Sequence, residues 1–395
     1  MTVRTIDLGA AGKDAFEIED TLGDLGTGLG GNAVRESLTL SLDVLSRNLD
    51  AAMRVLADVI IRPDFPAAEI DREKNRQVDS LLQQMNDPSA VAARVRSILA
   101  FGRSHPYGKP ASGTAESIES IDRSDIVRFH REFVIPRESA LIFAGDIDLA
   151  EAQALAEKHF GAWVNEGLGA PPIPAVAPMR GGELFLVDKP GTPQTVVAQL
   201  LAGPLRSIDD YAAFRLLDAI WGGGGFGTRL NLNLREDKGY SYGVFSNVAM
   251  FREAGLWWAQ ASVQTDKTAE SLLEFIKELR ALAGERPVSQ QELQSARETR
   301  TRGFSQSFES LSRVASQLAD LWVLGLPATE LQREYDDTTS VSLEHALAAA
   351  RKYVDPSRAT LLLVGDASII EEQLEKIGFN PIKIDSEAQS LVASS

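Results

Sequence analysis

Alternation of apolar and polar residues along the chain predicts short strands and amphipathic helices. Residues Ser37–Val44 alternate with a period of two, which predicts a half-buried strand. Residues Leu49–Ile61 carry apolar side chains at helical spacing and predict an amphipathic helix. The short apolar runs Ser139–Asp146 and Ala359–Asp366 each end in Gly-Asp and predict buried strands followed by helices. The same criteria predict strands at Glu183–Asp188, Thr195–Leu201, Tyr242–Phe251 and Gly255–Gln264, and helices at Tyr211–Trp221 and within Pro287–Leu324.

Several of these elements recur in the same order in both halves of the chain. Three pairs keep nearly the same offset: Gly145 with Gly365 (220 residues), Phe65–Ile70 with Val288–Leu293 (223 residues), and Leu49–Ile61 with Thr268–Leu282. Chance similarity between helix–strand proteins is the alternative explanation. Because three elements keep their register, the pattern favours a duplicated α/β unit.

The repeat predicts the fold class and the domains. We predict an α+β fold of two duplicated α/β units, each a largely antiparallel sheet covered by helices. Residues 166–182 are rich in Pro, Gly and Ala and predict a linker between domains at residues 1–165 and 183–395. Strands and a helix precede the helix near Phe226, whereas almost nothing precedes the matching helix near Phe16. We therefore expect the first unit to lack its opening strands and first helix, with an open edge that self-association or a partner covers.

Composition and charge exclude several classes of function. The chain has 40 Lys+Arg against 56 Asp+Glu, a net charge of −16, which argues against nucleic-acid binding. No apolar run is long enough to predict a membrane span, and residues Met1–Asp7 lack the apolar core of a signal peptide. The absence of cysteine excludes disulfides, thiol catalysis and iron–sulfur ligation.

Two glycine-rich segments resemble phosphate-binding loops only superficially. Residues Gly26–Gly31 fit G-x-G-x-x-G, but a helical stretch precedes them and a strand follows, the reverse of the dinucleotide-binding order. We interpret this segment as a turn. Residues Gly222–Gly227 lack the Gly-Lys-Ser/Thr ending of a P-loop. They either stop a helix and form a hinge, or form a mobile loop beside a substrate cleft, and the sequence leaves both interpretations open.

The histidines form no metal-binding motif. The four histidines, at positions 105, 130, 159 and 345, include no pair at i, i+4, so both H-E-x-x-H and H-x-x-E-H are absent. A Gly-x-Ser-x-Gly nucleophile elbow is absent as well, although spacing alone does not exclude a Ser-His-Asp triad.

The segment Thr228–Gly243 carries the most informative chemistry. A predicted helix ends in a charged cluster, Gly239 turns the chain, and a strand follows. Arg235 in the last helical turn and Tyr242 early in the strand could share one space, where a guanidinium and a phenol would hold a peptide carbonyl. The alternative is an arginine paired with a surface carboxylate and a tyrosine packed on the sheet. Spacing alone favours this alternative.

At this segment the sequence resembles the pitrilysin/insulysin-type zinc peptidases, the inverzincins, which include the mitochondrial processing peptidases. The stretch Leu234–Gly243 (LREDKGYSYG) is similar to the family pattern Leu-Arg-x-x-x-Gly-x-x-Tyr, and the family's arginine and tyrosine fall on Arg235 and Tyr242. The resemblance covers nearly the whole chain and implies that residues 1–165 and 183–395 are two peptidase-like domains. Further similar stretches are Asn32–Ala33, Leu45–Ile61, Phe65–Lys74, His105–Pro110 and Gly145–Asp146.

The resemblance also shows what this chain lacks. The family's H-x-x-E-H lies on the first helix of the first domain, which is missing here, and register places the third zinc ligand, a glutamate in the family, at about Ser80. A serine hydroxyl is a poor zinc ligand. The resemblance therefore implies that this chain binds no zinc and is inactive alone. The resemblance further implies that it supplies Arg235 and Tyr242 to a zinc-bearing partner subunit that carries H-x-x-E-H.

The implied function is that of a non-catalytic, peptide-binding subunit or fragment of a zinc metalloendopeptidase, whose substrate is a peptide or unfolded protein. The first alternative is a structural or interaction protein on the same fold. The second is an independent enzyme that uses other residues. Related bacterial proteins often work in the periplasm, and we expect a soluble protein of the periplasm or the cytoplasm.

Overall fold

The computed structural model describes residues 1–391. The first half of the described chain contains four short strands and eight α-helices. The strands are β1 (Gly9–Ala10), β2 (Lys13–Asp14), β3 (Gly30–Ala33) and β4 (Leu38–Ser41). The helices are α1 (Thr2–Thr5), α2 (Ala15–Asp24), α3 (Leu49–Ile61), α4 (Ala67–Gln84), α5 (Pro88–Phe101), α6 (Ala115–Ser120), α7 (Arg123–Phe133) and α8 (Leu149–Phe160).

Local sequence explains many of the helix boundaries. Asp14 accepts a hydrogen bond from the N–H of Glu17, and Glu17 accepts one from the N–H of Asp14, so a capping box starts α2. Helix α3 has the predicted bounds and buries its apolar stripe. Asp87 caps α5 with Pro88 at its first position, where proline is favoured because its missing N–H would have no helical partner.

Two strand predictions for the first half need correction. The strand predicted at Ser37–Val44 is present as the shorter β4, but it is mostly exposed, because it pairs only with β3 in a two-stranded ribbon. The buried strand predicted at Ser139–Asp146 is wrong, since residues 139–146 form no strand. A strand needs a hydrogen-bonded neighbour, and within the described chain the backbone of residues 140–144 has none.

The second half of the described chain contributes six strands and eight α-helices. The strands are β5 (Leu184–Asp188), β6 (Gln194–Gly203), β7 (Ser241–Met250), β8 (Gly255–Gln264), β9 (Thr360–Gly365) and β10 (Ile382–Ile384). The helices are α9 (Tyr211–Asp218), α10 (Arg229–Asn231), α11 (Thr268–Arg280), α12 (Gln290–Gln306), α13 (Leu311–Val323), α14 (Glu330–Ser340), α15 (Leu343–Tyr353) and α16 (Ala367–Lys376). Wider π-helical turns continue α9 (Ala219–Gly223), α10 (Leu232–Asp237) and α11 (Ala281–Glu285).

The six strands of the second half form one sheet in the order β10-β5-β9-β6-β8-β7. Strand β5 is parallel to both β10 and β9, while the pairs β9–β6, β6–β8 and β8–β7 are antiparallel. Helix α11 packs on β6 and β8, and α5 packs on β6 and β9. The predicted α+β class, with a largely antiparallel sheet covered by helices, is confirmed.

The described chain groups into two compact units that interleave along the sequence. Unit 1 comprises residues 1–83, 111–173 and 309–323, and unit 2 comprises residues 84–110, 174–308 and, of the described residues, 324–391. The core of unit 1 forms around α2, α3 and the start of α4 and includes Ile18, Val59 and Phe65. The larger core of unit 2 lies on the six-stranded sheet and includes Phe214, Trp221, Trp257 and Phe275. The predicted boundaries at residues 165 and 183 are a different division and stay a prediction, although residues 166–182 contain neither helix nor strand.

None of the helices formed by residues 1–391 combines the length and the hydropathy that crossing a membrane requires.

Candidate functional site

The segment between α9 and β7 in unit 2 presents Arg235 and Tyr242. The π-helical turn of α9 ends inside the glycine-rich segment 222–227, and the Thr228 hydroxyl then caps α10. Arg235 lies in the π-helical turn that continues α10. Gly239 has φ +65°, a conformation that glycine adopts without steric cost, and it turns the chain into β7.

The buried amide of Asn231 fastens α10 to the outer edge of β7. Its side-chain oxygen accepts a hydrogen bond from the N–H of Val244 at 2.9 Å, and its amide nitrogen donates to the carbonyl of the same residue. The amide nitrogen also donates to the Gly225 carbonyl at 3.0 Å, which ties the glycine-rich segment to the same point. Leu230 and Leu234 are buried on either side. The fold therefore fixes the position from which Arg235 extends.

A buried carboxylate joins α9 to the sheet behind this segment. Asp218 accepts a hydrogen bond from the Ser246 hydroxyl on β7 at 2.6 Å and one from the indole N–H of Trp257 on β8 at 2.9 Å. Both hydrogen bonds go to Oδ1, and Oδ2 lies 3.8 Å from Nη1 of Arg215, so the buried carboxylate has two donors and a cationic neighbour. Helix α9 and strand β7 are thereby held together immediately before the glycine-rich segment.

Tyr242 stands on an irregularity of the edge strand. The pairing of β7 with β8 shifts register between Ser241 and Val244, which places Tyr242 and Gly243 in a β-bulge. Bulges redirect side chains locally. The side chain of Tyr242 is 86% exposed, so its ring does not pack on the sheet.

Arg235 reaches from the π-helical turn toward two aromatic rings. Its guanidinium carbon lies 4.0 Å from the centroid of the Phe226 ring and 5.8 Å from that of the Tyr242 ring. The Nη1 atom also pairs with Glu236 at 2.7 Å, and the side chain remains 30% exposed. The guanidinium therefore stacks on one ring, faces the second and keeps part of its surface open to solvent.

These positions combine features of the two interpretations that the sequence left open. Arg235 is paired with a surface carboxylate, Glu236, as the structural interpretation expects. Tyr242, however, projects into solvent beside Arg235, as the substrate-binding interpretation expects. The structure thus brings the two predicted site residues together at one exposed surface, where both can donate hydrogen bonds.

Sequence reasoning missed two residues of this site, one exposed and one buried. Phe226, which is 57% exposed, carries the ring under Arg235, and Asn231 anchors α10. The available signals were a single aromatic residue inside a glycine run and a polar residue among the leucines of an amphipathic helix. Neither signal identifies the residue that the side chain contacts, because in both cases that residue lies on another element.

The first part of the glycine-rich segment is needed for close packing. A methyl group added at Gly222 would lie 2.8 Å from the Ser246 backbone nitrogen on β7, whereas one added at Gly227 would meet no atom within 4 Å. Gly225 has φ +90°, a backbone conformation that glycine adopts readily and that strains any residue with a side chain. Gly222 therefore supports the helix-stop interpretation, while the end of the segment, around Phe226, lies at the exposed surface.

The histidines are dispersed, and each contacts a separate part of the fold. His105 contacts the carbonyl of Pro174, His130 that of Ile60, His159 the carboxylate of Asp50, and His345 that of Asp210. Burial lowers the pKa of His130. Within residues 1–391 no three side chains of the His, Cys, Asp or Glu types lie close enough together to hold a metal ion, and Ser80 lies on α4. The motif H-x-x-E-H is absent from the given sequence, so the described residues do not include the ligands that it would supply to a zinc ion.

Family models match most of the chain. Residues 6–114 match the model described as insulinase, peptidase family M16, and residues 120–300 match the model described as the peptidase M16 inactive domain. The second match contains Arg235, Tyr242 and the elements that position them.

The curated proteins that resemble this chain are described as zinc proteases. An uncharacterised zinc protease of Mycobacterium leprae is 26% identical over 274 residues, which cover 69% of this chain and 61% of that protein. The chain thus spans about three fifths of the length of the first relatives that it matches. An uncharacterised zinc protease of Bacillus subtilis is 23% identical over 90% of this chain and 85% of its own length.

Among solved structures, a peptidase M16 inactive domain from Pseudomonas fluorescens superposes with a TM-score of 0.83 at 25% identity and covers 92% of this chain and 87% of that chain. A Helicobacter pylori protease shares the fold, with a TM-score of 0.79 at 18% identity over 92% of this chain and 88% of its own. The family models, the zinc protease relatives and the shared fold together show that this chain belongs to the M16 peptidase family.

Proposed function

We propose that this chain is a non-catalytic, peptide-binding component of a zinc metalloendopeptidase, and that Arg235 and Tyr242 bind the substrate backbone next to a zinc-bearing partner. The observation that carries the proposal is the pair itself, a guanidinium 5.8 Å from an exposed phenol ring, in a chain without H-x-x-E-H. The match of residues 120–300 to an inactive-domain model supports the same assignment.

The chemistry of peptide hydrolysis gives the pair a task. When a nucleophile attacks a peptide carbonyl, negative charge develops on the carbonyl oxygen, and oriented donors stabilise it more strongly than they stabilise the ground state. A guanidinium N–H and a phenol O–H are both suitable donors. In this proposal the zinc ion and its ligands belong to the partner, since among residues 1–391 no group of His, Cys, Asp or Glu side chains could hold a metal ion.

The fold provides one rigid and one adjustable donor. Arg235 is stacked on Phe226 and attached to a turn that Asn231 anchors, so its position is set before substrate binds. Tyr242 has an unpacked ring that can rotate toward a carbonyl oxygen. Exchanging the exposed Glu236 partner of Arg235 for a substrate carbonyl costs little, because surface ion pairs contribute about 0–1 kcal/mol.

A structural or interaction protein on the same fold is the competing function, and the Arg235–Glu236 pair favours it because it satisfies the arginine without any ligand. Peptide binding distinguishes the two functions. The probe is a fluorescein-labelled, unstructured peptide of zero net charge, titrated with the purified chain while its anisotropy is followed.

We expect the peptide to bind, and we expect Tyr242→Phe to weaken binding about two- to tenfold, the effect of one lost hydrogen bond. The matched control is Tyr335→Phe, which removes a phenol hydroxyl on α14. Both variants should melt at the temperature of the wild type. No binding, or equal binding by Tyr242→Phe and the wild type, would support the structural protein instead.

A further inference from the structure

Three exposed aromatic side chains lie in the segment that carries Arg235. Phe226 is 57% exposed, Tyr242 is 86% exposed and Phe245 is 51% exposed. The guanidinium of Arg235 stacks on the first ring and faces the second. Folding normally covers large apolar side chains, and a group of them left open beside a polar site is typical of a binding surface. Backbone binding by Arg235 and Tyr242 does not by itself explain the third ring.

The bulge of β7 places Tyr242, Gly243 and Phe245 on one face of the sheet. Ser241 and Val244 are buried, and Val244 belongs to the core of unit 2. Successive strand residues point to opposite faces, so Phe245 points away from that core. The extra residue of the bulge lets Tyr242 and Gly243 share the side of Phe245. The rings of Tyr242 and Phe245 therefore flank Gly243.

Gly243 leaves an open notch between these two rings. A methyl group added at Gly243 would have its nearest neighbours at 3.9 Å, namely the ring of Phe226 and the Oδ1 atom of Asn231. These are ordinary van der Waals distances, so the space is free and has the Phe226 ring as one wall. The φ angle of Gly243 lies outside the left-handed region. The backbone therefore does not require glycine here, and the missing side chain matters for what the surface can accept.

The fold already uses the backbone of β7 beside this notch. The N–H and the C=O of Val244 both bond to the Asn231 amide. The N–H of Gly243 donates to Oγ of Ser241 at 3.2 Å, and the Gly243 carbonyl oxygen lies 2.8 Å from the same atom. A peptide at this place therefore contacts side chains and does not pair with residues 243 and 244 as an added strand.

Strand β7 brings no charge to this surface. Residues Ser241–Met250 include no Asp, Glu, Lys or Arg, and the neighbouring cation, Arg235, pairs with Glu236. A charged side chain of a ligand would lose hydration here without gaining a partner, whereas an apolar side chain would cover exposed ring area. The notch therefore suits an uncharged, apolar side chain.

We propose that the notch formed by Gly243, Phe226 and Phe245 binds a large apolar side chain of the substrate, and that Gly243 determines this specificity. The inference rests on the proposed function, in which Arg235 and Tyr242 hold the peptide backbone. When that pair binds a carbonyl, the side chain of an adjacent substrate residue reaches the notch, because Gly243 directly follows Tyr242. An aromatic side chain fits best, since its ring can pack against the rings that line the notch.

Competition between peptides tests the notch in the full chain. The labelled, unstructured peptide described above is bound to the chain and displaced by unlabelled Gly/Ser peptides, acetylated and amidated, that carry one guest residue at their centre. The guest is phenylalanine, alanine or lysine. All three peptides have the same backbone, so the ratio of the affinities of the phenylalanine and alanine peptides measures the selectivity of the notch.

We expect the phenylalanine peptide to compete at least about fivefold better than the alanine peptide, because a phenyl ring buries apolar area that a methyl group does not. The lysine peptide should compete no better than the alanine peptide. Gly243→Val fills the notch and should reduce the phenylalanine-to-alanine ratio to less than about twofold. The matched control is Gly28→Val, at an exposed glycine of unit 1 with no atom within 4 Å, which should keep the ratio of the wild type.

Phe245→Ala is a second test that adds no volume. It removes one wall of the notch and should lower the ratio about two- to threefold. Phe308→Ala, at another exposed ring of unit 2, should keep the ratio of the wild type. All these variants should melt at the temperature of the wild type, because none of the changed positions is buried. If Gly243→Val melts lower, the ratio for Phe245→Ala decides.

Tyr242→Phe separates this inference from the proposed function. It should weaken binding of every guest peptide and keep the ratio, because it removes a contact to the backbone. Equal competition by the phenylalanine and alanine peptides, better competition by the lysine peptide than by the phenylalanine peptide, or a ratio that a stably folded Gly243→Val leaves unchanged would overturn the notch alone. An absence of peptide binding, or equal binding by Tyr242→Phe and the wild type, would overturn both.

Discussion

At the scale of single residues, Arg235 and Tyr242 are held to different degrees by the fold. The arginine stacks on Phe226 and pairs with Glu236, whereas the tyrosine ring lies in solvent. This difference suits a site in which one donor fixes the register of an extended backbone and the other adjusts to the reacting carbonyl. It also means that neither side chain contributes much to folding, so their roles can be tested by substitution.

The sequence predicted this pair from a seven-residue spacing between a helix end and a strand start. It did not predict Phe226 or Asn231, whose roles depend on contacts across a glycine-rich turn. The path of such a turn is set by packing, here of Gly222 against Ser246, and no local pattern records that packing. The predicted pair itself still awaits a functional test.

Glu292 provides a test of stability at the residue scale. It binds the buried Arg229 through two contacts of 2.7 and 3.0 Å and completes the capping box of α12 with Ser289. Burial by itself raises the pKa of Glu292, but the hydrogen bonds from Arg229 and Ser289 outweigh it and lower the pKa from 4.5 to about 2. Because the folded pKa is the lower one, the ionised carboxylate stabilises the fold above pH 4.5, and this contribution is lost as the pH falls toward 2.

We therefore expect Glu292→Gln to lower the free energy of unfolding by about 2 kcal/mol at pH 7 and by progressively less as the pH approaches 2. Urea unfolding of the variant and the wild type at several pH values measures this difference. Glu298→Gln, at an exposed position of the same helix, should change stability by less than about 0.5 kcal/mol throughout. A loss for Glu292→Gln that is the same at every pH would contradict the assignment.

At the scale of elements, helices were predicted better than strands. Helix α3 has the predicted bounds, and capping residues within a few positions explain the starts of α2 and α12. The strand predicted at residues 139–146 does not form. Its sequence is apolar enough for a strand, but the described chain contains no strand beside it with which it could pair. The formation of a strand depends on distant partners, whereas a helix satisfies its backbone locally.

The glycine-rich segment yields a prediction about how two elements pack. We expect Gly222→Ala to destabilise unit 2 by about 1–3 kcal/mol, since the added methyl group has no room beside β7. Gly227→Ala is the matched control and should change stability by less than about 1 kcal/mol, because nothing lies near that position. Denaturant unfolding checks both variants. Equal stabilities would show that α9 and β7 are not in tight contact.

At the scale of the whole molecule, the repeat and the M16 fold could be predicted from the sequence. Which helices belong to which unit could not. Helix α5 groups with unit 2 and α13 with unit 1, although each lies in the other half of the chain. The apolar stripe of α5 shows only that it must be covered, and several sheet faces would satisfy that requirement. Which face covers a helix is a property of the complete set of elements.

The central proposal is that Arg235 and Tyr242 complete the active site of a zinc-bearing partner. Its most direct test is peptide hydrolysis measured with this chain alone, with an M16 chain of the same genome that carries H-x-x-E-H, and with both together. Arg235→Ala is compared with the wild type, and Arg302→Ala, which removes an exposed arginine on α12, serves as the control.

We expect no turnover by this chain alone, turnover by the mixture, and a loss of about tenfold to a thousandfold in kcat when Arg235→Ala replaces the wild type in the mixture. Arg302→Ala should behave as the wild type does. Hydrolysis by the purified chain alone, or a mixture that is unaffected by Arg235→Ala, would contradict the account.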